Sequence, residues 1–418
     1  MKILSIAPQP FFTPRGTPFS VYYRTMMTAE LGHEVDILTY GQGEDVKLPG
    51  VSIIRIPSFK AFGDIKIGPS ALKLFYDLFL ILWTIVLLLR KRYDVVHAHE
   101  EAIFFCIFLK PFFKFKLIYD MHSSLPQQLV NFNFSSSRPI TKIFEWLEKW
   151  SIENSEAVIT ICPDLADYVE RVISDASKHV MIENSIFDPV QLLNRDASDR
   201  RTGSNVDEGE MVKWMKEHAV VVYAGTLEAY QGIGLLLDSF GSVVSKEPEA
   251  RLLIMGGTAG QVATYSKLAA SNGVADVVRF TGRVPQHTAQ TLTRLARVQV
   301  SPRCSGTNTP LKIYEQLANG VPLVATNIYS HTQAIDPSVA FLVDPIPSEM
   351  ANGILSALQP EGLKRVKVKE ALSLYEREYS RSAYRRKLQN VLIKFVDPAE
   401  NRRSPVSVRP RITRPLSA

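Results

Sequence analysis

SPRCSGTNTPLKIYEQLANGVPLVAT, residues 301 to 326, reads as the end of a strand, a loop, a helix and the next strand in succession. An apolar run closes at Ser301, and a Gly/Ser/Thr/Asn loop comes after it. Thr309 suits an N-cap, and Pro310 suits the first helical position, where a missing N–H costs nothing. Gly320 takes readily to the left-handed conformation that ends a helix, and Pro322 blocks continuation. Strand, loop, helix, strand is the unit of a parallel sheet, and it sets the helix N-terminus at the carboxyl edge of the strands, where such folds bind ligands. Unpaired N–H groups and the positive dipole end at that edge suit a diphosphate. Arg303 ahead of the loop and Lys312 in the first turn add cationic charge there. The competing reading is a plain surface connection with a Lys312–Glu315 pair on adjacent turns. Glu315 lies too deep in the helix to favour a phosphate at its mouth, but its carboxylate can accept from ribose hydroxyls beyond.

The same rhythm extends in both directions. Short β-branched runs at Lys2–Ala7, Glu34–Thr39, Val51–Arg55, Val95–Ala98, Lys116–Asp120, Ala157–Ile161 and His179–Ile182 alternate with helical patterns. A polar, Ser/Asp/Arg-rich stretch interrupts them, and the pattern restarts at Ala219–Ala224, Arg251–Met255, Val277–Thr281, Val298–Ser301, Pro322–Ala325 and Ala340–Val343. The expected fold is α/β, with two Rossmann-like parallel-sheet domains in tandem and a cleft between them. The first spans 1–188 and the second 218–375, joined by a linker or surface excursion at 189–217. A C-terminal helix at 376–396 is expected to pack back on the first domain. The basic tail, 397–418, holds five Arg against Asp397 and Glu400 and lacks aromatics, the composition of a disordered terminus.

Composition narrows the class. The 418 residues are 46% apolar and 22% charged, ordinary globular usage, with a net charge of +6 of which the tail carries about half. Cys106, Cys162 and Cys304 lie far apart, with no metal-site or disulfide spacing, which fits a reducing compartment. The N-terminal apolar stretch stops at Pro8, so it reads as a buried first strand and not as a secretory signal. LFYDLFLILWTIVLLL, residues 74 to 89, is the most apolar stretch, but only about twelve apolar residues come after Asp77, short of a bilayer span. It fits either a buried core helix or a helix lying on a membrane. FFCIFLKPFFKFK, residues 104 to 116, interleaves Phe with Lys as headgroup-depth segments do, so residues 74–116 are expected to meet a membrane surface.

Residues 301–326 are similar to the C-terminal motif of retaining glycosyltransferase family 4, in which Glu-x7-Glu precedes "AMA.G.PVVAS". Glu315 matches the second Glu, and LANGVPLVAT matches the "AMA.G.PVVAS" portion. The first Glu falls at Thr307, as in a subgroup with "P.K..E". Further matches come in the family's order: ELGHEVDILTY from residue 30, YDVVHAHEEA from 93, HVMIENSIFD from 179, VVVYAGTLEAYQGIGLLLDSF from 220, RLLIMGG from 251 and VRFTGRVP from 278. Thr226 and Gln231 stand where the family has its diphosphate-binding Arg and Lys. Arg303 and Lys312 are expected to take over phosphate neutralisation.

The resemblance implies a GT-B transferase that uses a nucleotide-sugar donor as substrate, with no cofactor, no metal and no nucleic-acid partner. Retention by front-face displacement would pass the sugar to a lipid-linked or glycan acceptor at the cytoplasmic face of a membrane. It gives His122 a catalytic role facing the donor sugar, and Arg303 and Lys312, placed at the helix mouth, are expected to share in catalysis by stabilising the leaving diphosphate. Donor contacts fall on Gly16, in the Arg15-Gly16-Thr17 loop that opens a helix, and on Gly225, Thr226, Gln231, Val284, Thr307, Asn308, Thr309, Pro310, Leu311 and Glu315. His97 and His99 share one strand face, but neither a third ligand nor an Asp-x-Asp motif accompanies them, so packing and capping are their expected roles. A non-catalytic GT-B-like partner, a GT-B-shaped epimerase and a glycan phosphorylase are the rival readings. Release of free nucleoside diphosphate separates a catalyst from a scaffold.

Overall fold

In the computed structural model the described residues are 1–13, 16–58, 70–126, 138–185, 187, 190, 207–359 and 362–396. Arg15 and the tail 397–418 therefore lie outside the described residues, as does most of the stretch read as a linker.

The runs of the first half become β1 (Lys2–Pro10), β2 (Glu34–Tyr40), β3 (Val51–Arg55), β4 (Val95–His99), β5 (Lys116–Met121), β6 (Ala157–Thr160) and β7 (His179–Met181). They form one parallel sheet in the order β3-β2-β1-β4-β5-β6-β7. The second half gives β8 (Ala219–Ala224), β9 (Ala250–Met255), β10 (Val278–Gly282), β11 (Val298–Ser301), β12 (Leu323–Thr326) and β13 (Phe341–Val343). These form a second parallel sheet, β10-β9-β8-β11-β12-β13. Sheets of this kind are covered on both faces, which is why β4 and β11 are buried at every residue. In each sheet the strand order reverses once, between β1 and β4 and between β8 and β11. At such switch points the loops leave in opposite directions and open a crevice at the carboxyl edge.

One face of the first sheet carries helices Ala71–Arg90, Ala102–Phe113, Arg138–Asn154 and Pro163–Val172, whose apolar sides join a single core with β4 and β5. The Ala71–Arg90 helix is long and apolar enough to cross a bilayer by length and composition alone. It is neither buried nor free. Tyr76, Leu80, Thr84 and Leu88 form a buried stripe at four-residue spacing, while Leu74, Leu78, Leu82, Val86 and Leu89 form an exposed one. Asp77, which divides the apolar run in sequence, accepts from the Tyr40 hydroxyl at the sheet edge.

The other face carries helix Gly16–Glu30 and the C-terminal helix Arg381–Val396. Tyr384, Leu388, Val391 and Leu392 of that last helix share a core with Ile3, Met27, Val95 and Ile118. The chain reaches them from the second domain through helix Leu363–Leu374 and a π-helical turn, Tyr375–Tyr379. The 189–217 stretch is not all linker: Asp207 caps a helix, Glu208–Glu217, whose Met211 and Met215 pack on Val220, Val222 and Leu292. Its charged residues hide a two-turn apolar pair that the overall composition masks.

Candidate active site

The carboxyl edges of the two sheets meet across a narrow set of contacts. Asp164, at the start of helix Pro163–Val172, donates its N–H to Gln333 Oε1 at 3.0 Å, and its carboxylate accepts from the Tyr329 hydroxyl at 3.2 Å. Gln333 also donates to the Thr307 carbonyl, and the Cys162 thiol lies 3.8 Å from Asn308 Oδ1. Thr307 and Asn308 thus sit at the seam between domains.

In the second domain the loops after β8 and β11 close on one another. Gly232, at φ +75°, approaches so closely that a Cβ there would stand 1.8 Å from the Pro302 carbonyl oxygen. The Cys304 N–H donates to the Tyr230 carbonyl at 2.9 Å. Lys312 leaves the first turn of helix Leu311–Ala318 and crosses to Gln231, donating to Oε1 at 3.1 Å, with its Nζ 4.2 Å from the Tyr223 ring centroid. Gln231 in turn donates to Thr226 Oγ1 at 3.4 Å, and Tyr223 donates to the Thr226 carbonyl at 2.6 Å. The structure therefore gathers Thr226 and Gln231 of one loop with Lys312, 81 residues beyond Gln231 in the chain, at the switch point. Gly225 comes directly after β8, and its N–H donates to the Met255 carbonyl at 3.0 Å.

Arg303 holds the loop. Its Nε donates to the Ser305 carbonyl at 2.6 Å and its Nη1 to that of Asn308 at 3.3 Å, with the guanidinium 5.2 Å from the Tyr230 ring. Burial, then the neighbouring Arg303 charge, bring the Lys312 ammonium down to about 7. Neither cation has a carboxylate partner in an ion pair among the described residues. Two basic side chains without a carboxylate partner thus stand beside an uncapped helix N-terminus, an arrangement that suits an anion.

The helix start differs from its reading in the sequence. Pro310, with ψ 133°, stays extended as the cap residue, so the helix begins at Leu311 and Thr309 lies one position outside it. Pro310 supplies the first carbonyl, which accepts from Ile313 N–H at 3.0 Å, but no side chain caps the turn. Lys312 and Glu315 do not pair. Glu315 faces helix Gln286–Leu295, where burial raises its carboxyl, and Gln290 and Arg294 partly offset the rise. Val284 lies just beyond β10 and packs its side chain toward the core of Met211, Met215 and Leu292.

In the first domain Gly16 is the exposed first residue of its helix, and a Cβ there would meet nothing within 4 Å. The fold does not require a glycine at this position. Next to it, Thr17 donates to Glu100 Oε1 at 3.5 Å, and burial together with the adjacent Glu101 charge raises Glu100 to about 7. His122 directly follows β5 and joins a buried polar cluster. Asp120 accepts from Arg24 Nε at 2.8 Å and from His97 Nε2 at 3.0 Å. His99 Nδ1 lies 3.1 Å from His122 Nε2, and His99 Nε2 lies 3.1 Å from Ser5 Oγ. Burial pushes the Asp120 carboxyl up, but Arg24 and the histidines outweigh it and hold it well below the carboxylate range. Burial lowers His122 to about 4 and keeps it neutral.

His97 and His99 therefore neither cap nor merely pack. A third group able to join them on a metal exists, since Asp120 brings a carboxylate oxygen within 4.8 Å of both rings. Arg24 already supplies the positive charge there. Parallel pairing sets His99 opposite Asp120, so Asp-x-His on the next apolar strand, in phase with His-x-His, was the signal available in the sequence.

Two parallel sheets with opposed carboxyl edges are the architecture of the GT-B class, and the comparisons place the chain among its glycosyltransferases. Residues 16–186 match the model for Glycosyltransferase Family 4 and residues 218–360 that for Glycosyl transferases group 1. Within its class the chain is a glycosyltransferase of the family 4 type. It is 22% identical over 378 residues to a phosphatidyl-myo-inositol mannosyltransferase of Mycobacterium tuberculosis, covering 87% of this chain and 89% of that one. Among solved structures, Anabaena HepE in complex with UDP superposes with a TM-score of 0.69 at 14% identity, over 94% of this chain and all of the other. A sucrose-phosphate synthase of Thermosynechococcus elongatus gives 0.67 at 19% identity, over 94% and 98%.

Proposed function

We propose that the chain is a retaining, metal-independent hexosyltransferase that moves a sugar from a nucleoside-diphosphate sugar to a lipid-linked or glycan acceptor at the cytoplasmic face of a membrane. The observation that carries the donor side is the Lys312 ammonium, set against a Tyr ring without a carboxylate partner among the described residues and beside an uncapped helix N-terminus. A partly buried cation is costly unless a counter-charge arrives, and a diphosphate supplies one. Lys312 and Gln231 bind it, the loop held by Arg303 wraps it, and Glu315 accepts from the ribose hydroxyls. In the transfer step the bond from anomeric carbon to phosphate oxygen breaks as the acceptor oxygen bonds the same face. The acceptor proton passes to the leaving diphosphate. Lys312 and Arg303 stabilise the charge that develops there, the place a dication fills in metal-dependent transferases. His122 meets the donor sugar from the first domain, where Glu100 and Thr17 line the acceptor side. The similarity to a mannosyltransferase named for a phosphatidylinositol, and to HepE with UDP bound, supports this reading.

Thermal-shift measurements with UDP, GDP, ADP and dTDP test it, since a ligand bound only by the native state raises the melting point. One of the four is expected to do so, and Glu315→Gln to weaken that nucleotide by about 1.5–3 kcal/mol in calorimetry with the fold intact. No shift with any nucleotide favours a non-catalytic scaffold.

The membrane side rests on the outer surface of the four-helix layer. Leu74 (61% exposed), Leu89 (72%), Phe112 (80%) and Trp146 (59%) stand on three adjacent helices. Phe108 packs 5.0 Å from Trp150, which stacks on Trp146. An open groove of about 360 Å³ beside them is lined by Trp146, Lys149, Trp150, Glu153, Arg171 and Val172, which sets two aromatic rings and two cations beside one carboxylate. Arg90, Arg92, Lys116 and Lys142 are also placed on these helices and their flanks. Each cation near an anionic surface contributes about 1 kcal/mol. The protein is expected to float with anionic liposomes at low salt and to be largely stripped at high salt. Failure to float at low salt rejects the membrane and leaves a soluble glycan as acceptor.

A further inference from the structure

The cluster behind His122 holds more than the packing of one histidine requires. Arg24 comes from helix Gly16–Glu30, Ser5 from β1, His97 and His99 from β4, and Asp120 from the end of β5. All are at most 3% exposed. Asp120 Oδ2 takes Arg24 Nε–H and His97 Nε2–H, while Oδ1 faces Arg24 Nη2 at 3.3 Å and His122 Nε2 at 3.4 Å. The Tyr384 ring of the C-terminal helix closes the back, 5.2 Å from the Arg24 guanidinium.

One arrangement of protons satisfies these contacts with neutral imidazoles. With His122 protonated on Nε2, the proton is donated to His99 Nδ1 at 3.1 Å with Asp120 Oδ1 nearby at 3.4 Å, and His99 Nε2–H donates to Ser5 Oγ. The opposite assignment turns His99 Nδ1–H toward His122 Nε2 and Asp120 Oδ2, 3.5 Å away, but it sets a bare Nε2 against Asp120 Oδ1 and leaves a buried His122 Nδ1–H without an acceptor among the described residues, which is rarer than an unpaired acceptor. In the first arrangement a lone pair remains on His122 Nδ1, which is buried and has no hydrogen-bond partner among the described residues. A buried acceptor left unpaired is costly, and a hydroxyl donor that reached it would remove that cost.

We propose that Asp120, His99 and Arg24 form a positioning assembly that fixes the Nε2–H tautomer of His122 and presents Nδ1 as an acceptor to a hydroxyl of the bound sugar. The proposal rests on the transferase reading above. The three residues act through His122 and touch no substrate themselves.

The tautomer is read on ligand-free protein labelled with ¹⁵N-histidine, with His122 assigned from the signals lost in His122→Asn. An Nε2–H ring with a bare Nδ1 is expected, and an Nδ1–H ring overturns the proposal. Asp120→Asn can offer an amide N–H to Nε2 and so swap the tautomer. Turnover of the donor found by thermal shift should then fall about 10²–10⁴-fold, with KM changed far less. In a His122→Ala background the same change should cost nothing further, whereas additive losses reduce Asp120 to a structural ion pair. Should Asp120→Asn fail to fold, His99→Leu keeps the Arg24–Asp120 pair. It is expected to lose about tenfold or more in kcat, and His99→Gln, whose amide oxygen can accept from Nε2, is expected to recover most of it. Equal kcat in wild type and His99→Leu overturns the role of His99. If wild type turns over no donor, the transferase reading fails, while the tautomer measurement still stands on its own.

Discussion

Lys312→Met is expected to lower turnover by about 10²–10³-fold while the protein stays folded, the loss found when one preorganised stabiliser of developing charge is removed. Methionine keeps the length and apolar stem that lie on Tyr223 and removes only the charge that reaches Gln231. Lys312 sits near 7 in the free protein because burial and Arg303 disfavour its charged form. A diphosphate reverses that balance and raises it, so binding favours the protonated ammonium. Affinity for the nucleoside diphosphate should therefore be flat below about pH 7 and weaken up to tenfold per pH unit above it. In the methionine variant this dependence should vanish. Calorimetric titration between pH 6 and 9 checks both statements. A pH-independent wild type returns Lys312 to a structural role.

Gly232→Ala is expected to lower the melting temperature of the second domain by roughly 5–15 °C. The added Cβ falls on the Pro302 carbonyl oxygen, a backbone atom that cannot turn aside, and φ +75° adds strain. A left-handed residue costs about 1–2 kcal/mol and overpacking typically about 1–3. The loops after β8 and β11 must part, which carries Gln231 away from Lys312 and should abolish nucleotide binding. Gly16→Ala is the contrasting case, because a Cβ there meets nothing. Its melting point should equal the wild type's, and a loss of activity would mean that a substrate occupies the open space. Calorimetric scans of the two variants separate a glycine that the fold needs from one that only a ligand can need.

All thirteen strands among the described residues were legible in the sequence because a parallel strand covered on both faces is a short apolar run between breakers, and nothing in the interior disguises it. The proposed anion site was half legible. Lys312 and the helix mouth could be placed from Pro310 and Gly320, but the contact with Gln231 spans 81 residues and exists only because β8 and β11 are neighbours. Strand order, which local pattern does not encode, decides it. Arg24 and Asp120 were missed for the related reason that a buried ion pair looks, residue by residue, like surface charge. The exposed stripe from Leu74 to Leu89 was ambiguous because hydrophobicity on every side of a helix conceals which side the core takes.

The helix Arg381–Val396 completes the core of the domain that is synthesised first. Until it leaves the ribosome, Ile3, Met27, Val95 and Ile118 have no Tyr384, Leu388 or Val391 to cover them, and the guanidinium of Arg24 has no ring behind it. At translation rates of about 5–20 residues per second, the two hundred or so residues between β7 and this helix impose a delay of roughly 10–40 s. The second domain has that interval to fold, while the first domain still lacks the cover that Tyr384, Leu388 and Val391 provide. Emergence of this helix, more than that of either sheet, is the event that finishes the first domain.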